Sequence, residues 1–379
     1  MAAMRNVSVL LFLVVIVMFI GVGVEAARMI GPHKPHPARC DFHQIYQLGD
    51  SISDTGNLIR EPAGARTAFA HLPYGETFFG NATGRCSNGQ LMIDFIASAV
   101  GLPFLNPYKN VEANFSSGAN FAVAGSTALP AETLAKMKIV SPVTNSSLSI
   151  QLDWMSTHFN STCDNTKKGC AGNLQNLLFM VGEIGGNDYN YALLQGKTTK
   201  QVKGMVPEVV SAVMRAVRTI IQLGGTRIVV PGNFPIGCLP IYLTAFQSND
   251  SALYDENLCL SHLNSLSRYH NHHLKQAIKV VKQEFPNVSI VYGDYYNAFQ
   301  SLYKNAAQLG FNVTQRSCCG TGGKYNFNLI NMCGGPNVPI CQDPSRHLSW
   351  DGIHLTEAAY KVMATWLMDN ILPKLGCNA

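Results

Sequence analysis

Two stretches near opposite ends of the chain carry residues that could perform nucleophilic chemistry. A short apolar run over residues 43–48 ends abruptly in Gly49-Asp50-Ser51, and near the end of the chain Asp351 precedes His354 by three residues. A serine hydroxyl is a weak nucleophile unless a base accepts its proton, and a carboxylate can hold an imidazole in the tautomer that does so. The two stretches therefore predict Ser51 as nucleophile, His354 as base and Asp351 as the partner that orients the base.

Attack on an acyl group also needs N–H donors for the oxyanion that forms. Ser51 and Gly125 can each offer a backbone N–H at the end of a predicted strand, and Asn187 can offer its side-chain amide from a glycine-rich turn. Loss of one such donor slows acyl transfer about 100- to 1,000-fold. Each feature also has an ordinary explanation: the glycines suit tight turns, and Asp351 and His354 alone suit a helix start with a surface histidine.

Strand-like and helix-like segments alternate along the chain and would position these residues. Apolar runs predict strands over residues 43–48, 120–124, 177–181, 227–230 and 288–292, and helical periodicity predicts helices over residues 91–100, 202–221, 260–285 and 356–372. Such alternation predicts an α/β fold, a parallel sheet with helices on both faces. Functional sites in these sheets lie at the carboxyl ends of the strands, where the polar residues after three of the predicted strands would meet.

The beginning of the chain is typical of a secreted protein. Arg5 precedes a nearly unbroken apolar run over residues 9–24, and cleavage after Ala26 would complete a signal peptide over residues 1–26. A retained membrane anchor is the alternative, although the run is short for a membrane-spanning helix. Proline and histidine predict a flexible leader over residues 27–39, followed by a single domain over residues 40–379.

Sequons and cysteines agree with the secretory pathway. Candidate glycan acceptors are Asn81, Asn114, Asn145, Asn160, Asn249, Asn287 and Asn312. The chain has 11 cysteines, an odd number that leaves at least one without an intramolecular partner. Cys163 and Cys170 flank a short polar loop and are predicted to pair. The segment over residues 318–341 holds four cysteines without a Cys-x-x-Cys spacing, so disulfides are favoured over zinc.

Composition excludes several classes of protein. Apolar residues make up 47% of the 379 residues and charged residues 13%, which is typical of a chain with a large folded core. The net charge is +5 and no run of five basic residues occurs, so we expect no nucleic-acid partner. His270 and His273 could share one face of a predicted helix, and a solvated face is favoured over a metal site there.

Four blocks, in order, resemble the plant secreted branch of the GDSL esterase and lipase family, also called SGNH hydrolases. The blocks are residues 49–57, 120–125, 185–188 and 351–354, and the first begins Gly-Asp-Ser-Ile. The resemblance implies a flavodoxin-like α/β/α sandwich with Ser51 as nucleophile, His354 and Asp351 as the base pair, and Ser51, Gly125 and Asn187 as oxyanion donors. Ile52 replaces the leucine of the family name, and Leu355 replaces a proline that is common after the histidine; neither position carries the proton relay.

The same resemblance implies a secreted serine esterase without metal or cofactor. Its substrate would be a small-molecule ester with a short, acetyl-type acyl group on a plant specialised metabolite such as an indole alkaloid. Acyl transfer to an alcohol, lipid hydrolysis and polysaccharide deacetylation are the alternatives. We expect a monomer with no stable membrane insertion after signal cleavage, located in the apoplast or the vacuole.

Overall fold

A five-stranded parallel sheet forms the centre of the protein, whose computed structural model describes residues 40–162 and 174–377. The strands are β1 (Gln44–Leu48), β2 (Gly118–Asn120), β3 (Leu177–Val181), β4 (Arg227–Pro231) and β5 (Ser289–Gly293). Their spatial order is β2-β1-β3-β4-β5, and every neighbouring pair is parallel. This is the order of flavodoxin-like sheets, so the predicted α/β fold is confirmed.

Helices cover the sheet in two groups. The helices are α1 (Met92–Ala99), α2 (Ala131–Lys136), α3 (Leu148–Thr162), α4 (Gly186–Leu194), α5 (Thr199–Gln222), α6 (Pro240–Ala245), α7 (Ser261–Glu284), α8 (Tyr295–Lys304) and α9 (Glu357–Ile371). Helices α3, α4 and α7 pack with α5, whereas α1 and α8 pack with α9. Crossover connections between parallel strands are right-handed, so two connections that lead towards opposite edges of the sheet lie on opposite faces of it. This rule accounts for the two groups of helices. Helices α1, α5, α7 and α9 were predicted, and the other five were not.

The central strand β3 is apolar because both faces of the sheet are covered. All five side chains of β3 are buried, as the continuous Leu-Leu-Phe-Met-Val sequence requires. The strand predicted over residues 120–124 is shifted in the structure: the observed strand β2 ends at Asn120. The Asn120 side chain accepts a hydrogen bond from the Ala122 N–H at 2.9 Å, so the chain begins to turn where its buried residues predicted a strand.

A second, two-stranded parallel sheet lies between β5 and α9 in the sequence and was not predicted. It consists of β6 (Val313–Ser317) and β7 (His347–Ser349). Disulfides Cys318–Cys341 and Cys319–Cys333 secure the connection between these strands, which confirms the predicted disulfides of this segment. Sulfur atoms of Cys318 and Cys341 come close to His347, but a disulfide offers no thiolate to a metal.

Five of the remaining cysteines are described, four of them in two disulfides and one as a free thiol. Disulfides join Cys40 to Cys377 and Cys238 to Cys259, and Cys86 is a buried free thiol. The predicted pair Cys163 and Cys170 lies outside the described residues, as do the predicted signal peptide and leader. The described residues belong to one compact unit.

Two surface features complete the fold. All seven predicted glycan acceptors are exposed, and their glycosylation stays a prediction. Among the described residues, no helix combines the length and the apolar character that crossing a membrane requires.

The prediction that His270 lies on a solvated helix face was wrong, because this side chain is fully buried and its Nδ1 lies 2.7 Å from the Tyr189 hydroxyl.

Candidate active site

The loop that carries Ser51 starts at the carboxyl end of β1. Between β1 and β3 the strand order reverses, which makes this the switch point of the sheet. Crevices at this switch point bind ligands in open α/β sheets. Gly49 packs so closely on β3 that an added Cβ would lie 2.9 Å from the Glu183 carbonyl oxygen. The buried Gln151 side chain fixes the backbone of the same residue: it accepts a hydrogen bond from Gly49 N at 2.9 Å and donates one to Gly49 O at 2.8 Å. Ser51 therefore follows a rigid strand end.

Asp50 and Asp54 shape the turn around Ser51. Asp50 accepts a hydrogen bond from the Ile52 N–H at 3.0 Å through its side chain and from the Asp54 N–H at 3.0 Å through its backbone. The buried Asp54 carboxylate accepts four backbone N–H groups, from Gly56, Asn57, Leu58 and Ala124, at 2.6 to 3.0 Å. The bond to Ala124 joins the serine turn to the loop that carries Gly125.

The three predicted oxyanion donors lie around this turn. Gly125 has a φ of +83°, and an added Cβ would lie 2.5 Å from Val143, so the position requires glycine. Asn187, in the first turn of α4, donates through Nδ2 to Ser126 O at 2.9 Å and to the Asp50 carboxylate at 3.3 Å. Within the described part of the chain, the backbone N–H groups of Ser51 and Gly125 donate to no acceptor. The arrangement leaves two backbone donors unoccupied beside one amide.

Asp351 and His354 form a buried pair at the turn between β7 and α9. His354 Nδ1 lies 2.7 Å from Asp351 Oδ2, and the side chains are 3% and 1% exposed. The other ring nitrogen, Nε2, is buried and has no hydrogen-bond partner among the described residues. Because an ionised carboxylate only accepts hydrogen bonds, Nδ1 carries the proton and Nε2 keeps its lone pair. The pair can act as a base, and the hydrogen bond from Ser51 to Nε2 is not formed in this structure.

Tyr74, which the sequence analysis did not single out, completes the surroundings of Asp351. Its hydroxyl donates to Asp351 Oδ2 at 2.8 Å, across 277 residues of sequence. Gln151 is a second residue that was missed. A single tyrosine or glutamine in a loop or helix gives no sequence signal of a contact so distant along the chain.

The buried carboxyl groups of this region differ in the direction in which their pKa values are shifted. Burial raises the pKa of Asp50 to about 7, and burial together with the charge of Asp50 raises the pKa of Glu183 well above its usual value. Burial would also raise the pKa of Asp351, but the neighbouring His354 and its hydrogen bonds hold that pKa below its usual value. Asp351 is therefore the carboxyl group that the site keeps ionised, as an orienting partner of a base must be.

A cleft opens beside Ser51. Its polar lining residues include Asp50, Glu183 and Asn187, and its largely apolar ones include Phe234, Ile236, Leu239 and Tyr242. Ile353 and Leu355, the neighbours of His354 in sequence, line the same cleft. Ser51, Asn187 and the turn that bears His354 thus border one partly apolar space, which suits an uncharged ester.

Comparisons with known proteins agree with the geometry. The sequence pattern of the family described as GDSL-like lipase/acylhydrolase matches residues 45–367. Acetylajmalan esterase 2 of Rauvolfia serpentina is 48% identical over 341 residues, which cover 89% of this chain and 93% of that relative. A GDSL esterase/lipase of Arabidopsis thaliana is 42% identical over 340 residues, covering 90% of this chain and 92% of that relative. The chain therefore belongs to the GDSL-like lipase/acylhydrolase family of carboxylic-ester hydrolases.

Proposed function

We propose that this chain is a serine esterase that removes a short, acetyl-type acyl group from a plant specialised metabolite, with Ser51, His354 and Asp351 as its catalytic residues. One observation carries the catalytic assignment: His354 Nδ1 is hydrogen-bonded to Asp351 at 2.7 Å, while Nε2 has no partner within residues 40–162 and 174–377, in a turn that borders the same cleft as Ser51. An imidazole held in this way is available as a base for a nearby hydroxyl.

The mechanism follows from these positions. His354 Nε2 takes the proton of Ser51 Oγ as this oxygen attacks the ester carbonyl carbon, and a tetrahedral intermediate forms. The free N–H groups of Ser51 and Gly125 donate to the oxyanion, and so does Asn187, whose 3.3 Å bond to Asp50 is the weaker of its two. The imidazolium returns its proton to the leaving alcohol. Water then attacks the acyl-enzyme with His354 again as base, which releases the acid and restores Ser51.

The substrate proposal rests on the cleft and on the relatives. Apolar side chains beside Ser51, including Phe234 and Leu239, suit the hydrocarbon skeleton of a metabolite alcohol. Relatives at 48% and 46% identity are named acetylajmalan esterases, and this supports an acetyl ester of an alkaloid-type compound. The disulfides suit an oxidising compartment, which supports a protein of the secretory pathway in the apoplast or vacuole. We expect it to be a monomer.

The catalytic proposal is tested with Ser51→Ala. We expect hydrolysis of a chromogenic acetate ester and labelling by a fluorophosphonate probe to be abolished, because the substitution removes the hydroxyl at this position. Ser53→Ala is the matched control, two residues further along the same turn, and we expect it to keep activity and labelling. Hydrolysis or labelling at the wild-type level in folded Ser51→Ala would refute Ser51 as nucleophile.

The substrate proposal is tested separately by hydrolysis of esters with acyl chains of increasing length on one chromogenic alcohol. We expect kcat/KM to be highest for acetyl and to fall as the chain lengthens. A maximum at long acyl chains would contradict the short-acyl proposal and leave the catalytic residues unaffected.

A further inference from the structure

The carboxylate of Asp351 is surrounded by four hydrogen-bond donors, and this number matters. Oδ1 accepts the backbone N–H groups of Ile353 at 3.0 Å and His354 at 2.8 Å. Oδ2 accepts His354 Nδ1 at 2.7 Å and the Tyr74 hydroxyl at 2.8 Å. A carboxylate offers about four lone-pair positions, so all of them are occupied. Tyr74 is the one donor of the four that does not come from the turn of Asp351 itself.

Tyr74 is held firmly enough to define the position of Oδ2. Its side chain is 1% exposed, and its ring makes edge contacts with Phe69 and Trp350 at centroid distances of 5.0 and 6.1 Å. Phe69 also makes an edge contact with the His354 ring at 5.8 Å. One aromatic group therefore packs against Tyr74 and the imidazole together, so that the hydroxyl and the imidazole reach the same oxygen from fixed directions.

We propose that Tyr74 is a positioning residue of the His354 base: its hydroxyl holds Asp351 Oδ2 in place and withdraws part of the negative charge that this oxygen offers to the imidazole. The inference rests on the proposed roles of Asp351 and His354. Charge withdrawal matters because a carboxylate with fewer donors stabilises an imidazolium more strongly, and the neutral imidazole that catalysis requires then forms only at higher pH.

Other titratable groups face this region and remain unchanged in the test. Those with an electrostatic influence on Tyr74, Asp351 or His354 are Cys86, Asp50 and Tyr360. The Cys86 thiol is buried, and burial raises its pKa well above its usual value, so it stays uncharged across the acid limb of an esterase profile. Asp50 titrates near pH 7, and its contribution is common to all variants compared.

The experiment is the pH dependence of kcat and kcat/KM for a chromogenic acetate ester in the full chain with Tyr74→Phe. We expect kcat to fall about 10-fold, because an oxygen without its second donor positions the imidazole less well. We expect the acid limb of kcat/KM to move upwards by about half a pH unit or more. Tyr46→Phe is the matched control: Tyr46 is 2% exposed and donates to Gln44 at 3.0 Å, so we expect an unchanged acid limb.

A second variant has an effect of opposite sign and keeps the ring. Replacement of Tyr74 by 3-fluorotyrosine makes the hydroxyl a stronger donor, so we expect the acid limb to move to lower pH. An acid limb that coincides with wild type in both variants would overturn the proposal and leave Tyr74 a structural residue. The proposed function fails by a different result, wild-type turnover in folded Ser51→Ala or Asp351→Asn, which the Tyr74 variants do not affect.

Discussion

Asp351 and Glu183 are both buried acidic side chains close to the candidate nucleophile, yet the structure treats them in opposite ways. Asp351 has a donor at each lone pair, two from backbone and two from side chains, and its pKa is lowered. Glu183 accepts from the backbone N–H of Gly186, has Asp50 and Asp188 as acidic neighbours, and its pKa is raised well above the usual value. Donor number alone does not set the charge of a buried carboxyl group, because burial raises the pKa of Asp54 despite its four N–H donors; the neighbouring His354 is what distinguishes Asp351.

The largest expected effect concerns the ionised member of the comparison. Asp351→Asn exchanges an acceptor for an amide of equal size, which can donate to Nδ1 and so favour the wrong imidazole tautomer. We expect kcat for a chromogenic acetate ester to fall about 10³- to 10⁴-fold with little change in thermal midpoint. Activity within tenfold of wild type would show that the contrast between Asp351 and Glu183 has no catalytic meaning.

Asp54 tests the effect of donor number on stability apart from catalysis, since its four donors are backbone N–H groups. Asp54→Ala would leave them buried without an acceptor, so we expect the free energy of unfolding to fall by about 3 kcal/mol or more in urea denaturation. The exposed Asp369→Ala is the control, and we expect a change below about 0.5 kcal/mol. Equal stability of the two variants would contradict the importance of donor number.

The smallest effect concerns Glu183, and its sign depends on pH. The folded-state pKa of Glu183 lies above its unfolded-state value of about 4.3, so folding loses stability as the pH rises above that value. Glu183→Gln cannot ionise, and we expect its thermal midpoint to exceed that of wild type by roughly a few degrees at pH 8 and by less at pH 5. A difference that is the same at both pH values would show that Glu183 is not held neutral in the folded state.

The sequence predicted the fold wherever burial made a segment uniform. The run over residues 177–181 is apolar throughout and became β3 with the predicted bounds, because a central parallel strand is covered on both faces. The same signal was misleading over residues 120–124, which are buried but turn after Asn120. Helix α7 was predicted from its helical periodicity, yet the burial of His270 was missed. A segment rich in histidine is polar in composition and gives no sign of a buried partner such as Tyr189.

For the candidate site, short-range geometry was predictable and long-range geometry was not. A spacing of three residues was enough to predict that Asp351 reaches His354, and the Gly-Asp-Ser turn was enough to place Ser51 at a strand end. Tyr74 and Gln151 reach their partners across 277 and 102 residues of sequence. Such contacts depend on how loops cross the finished sheet, and neither side chain differs in type from many others in the chain.

The Cys40–Cys377 bridge has a consequence for survival of proteolytic cleavage. With a sequence separation of 337, it encloses every strand and helix of the described structure in one covalent ring. On the chain-entropy account, closing a ring of this size disfavours the unfolded state by about 6 kcal/mol. A protease that cuts one exposed loop would open the ring without releasing a fragment, so a nicked molecule keeps both of its pieces.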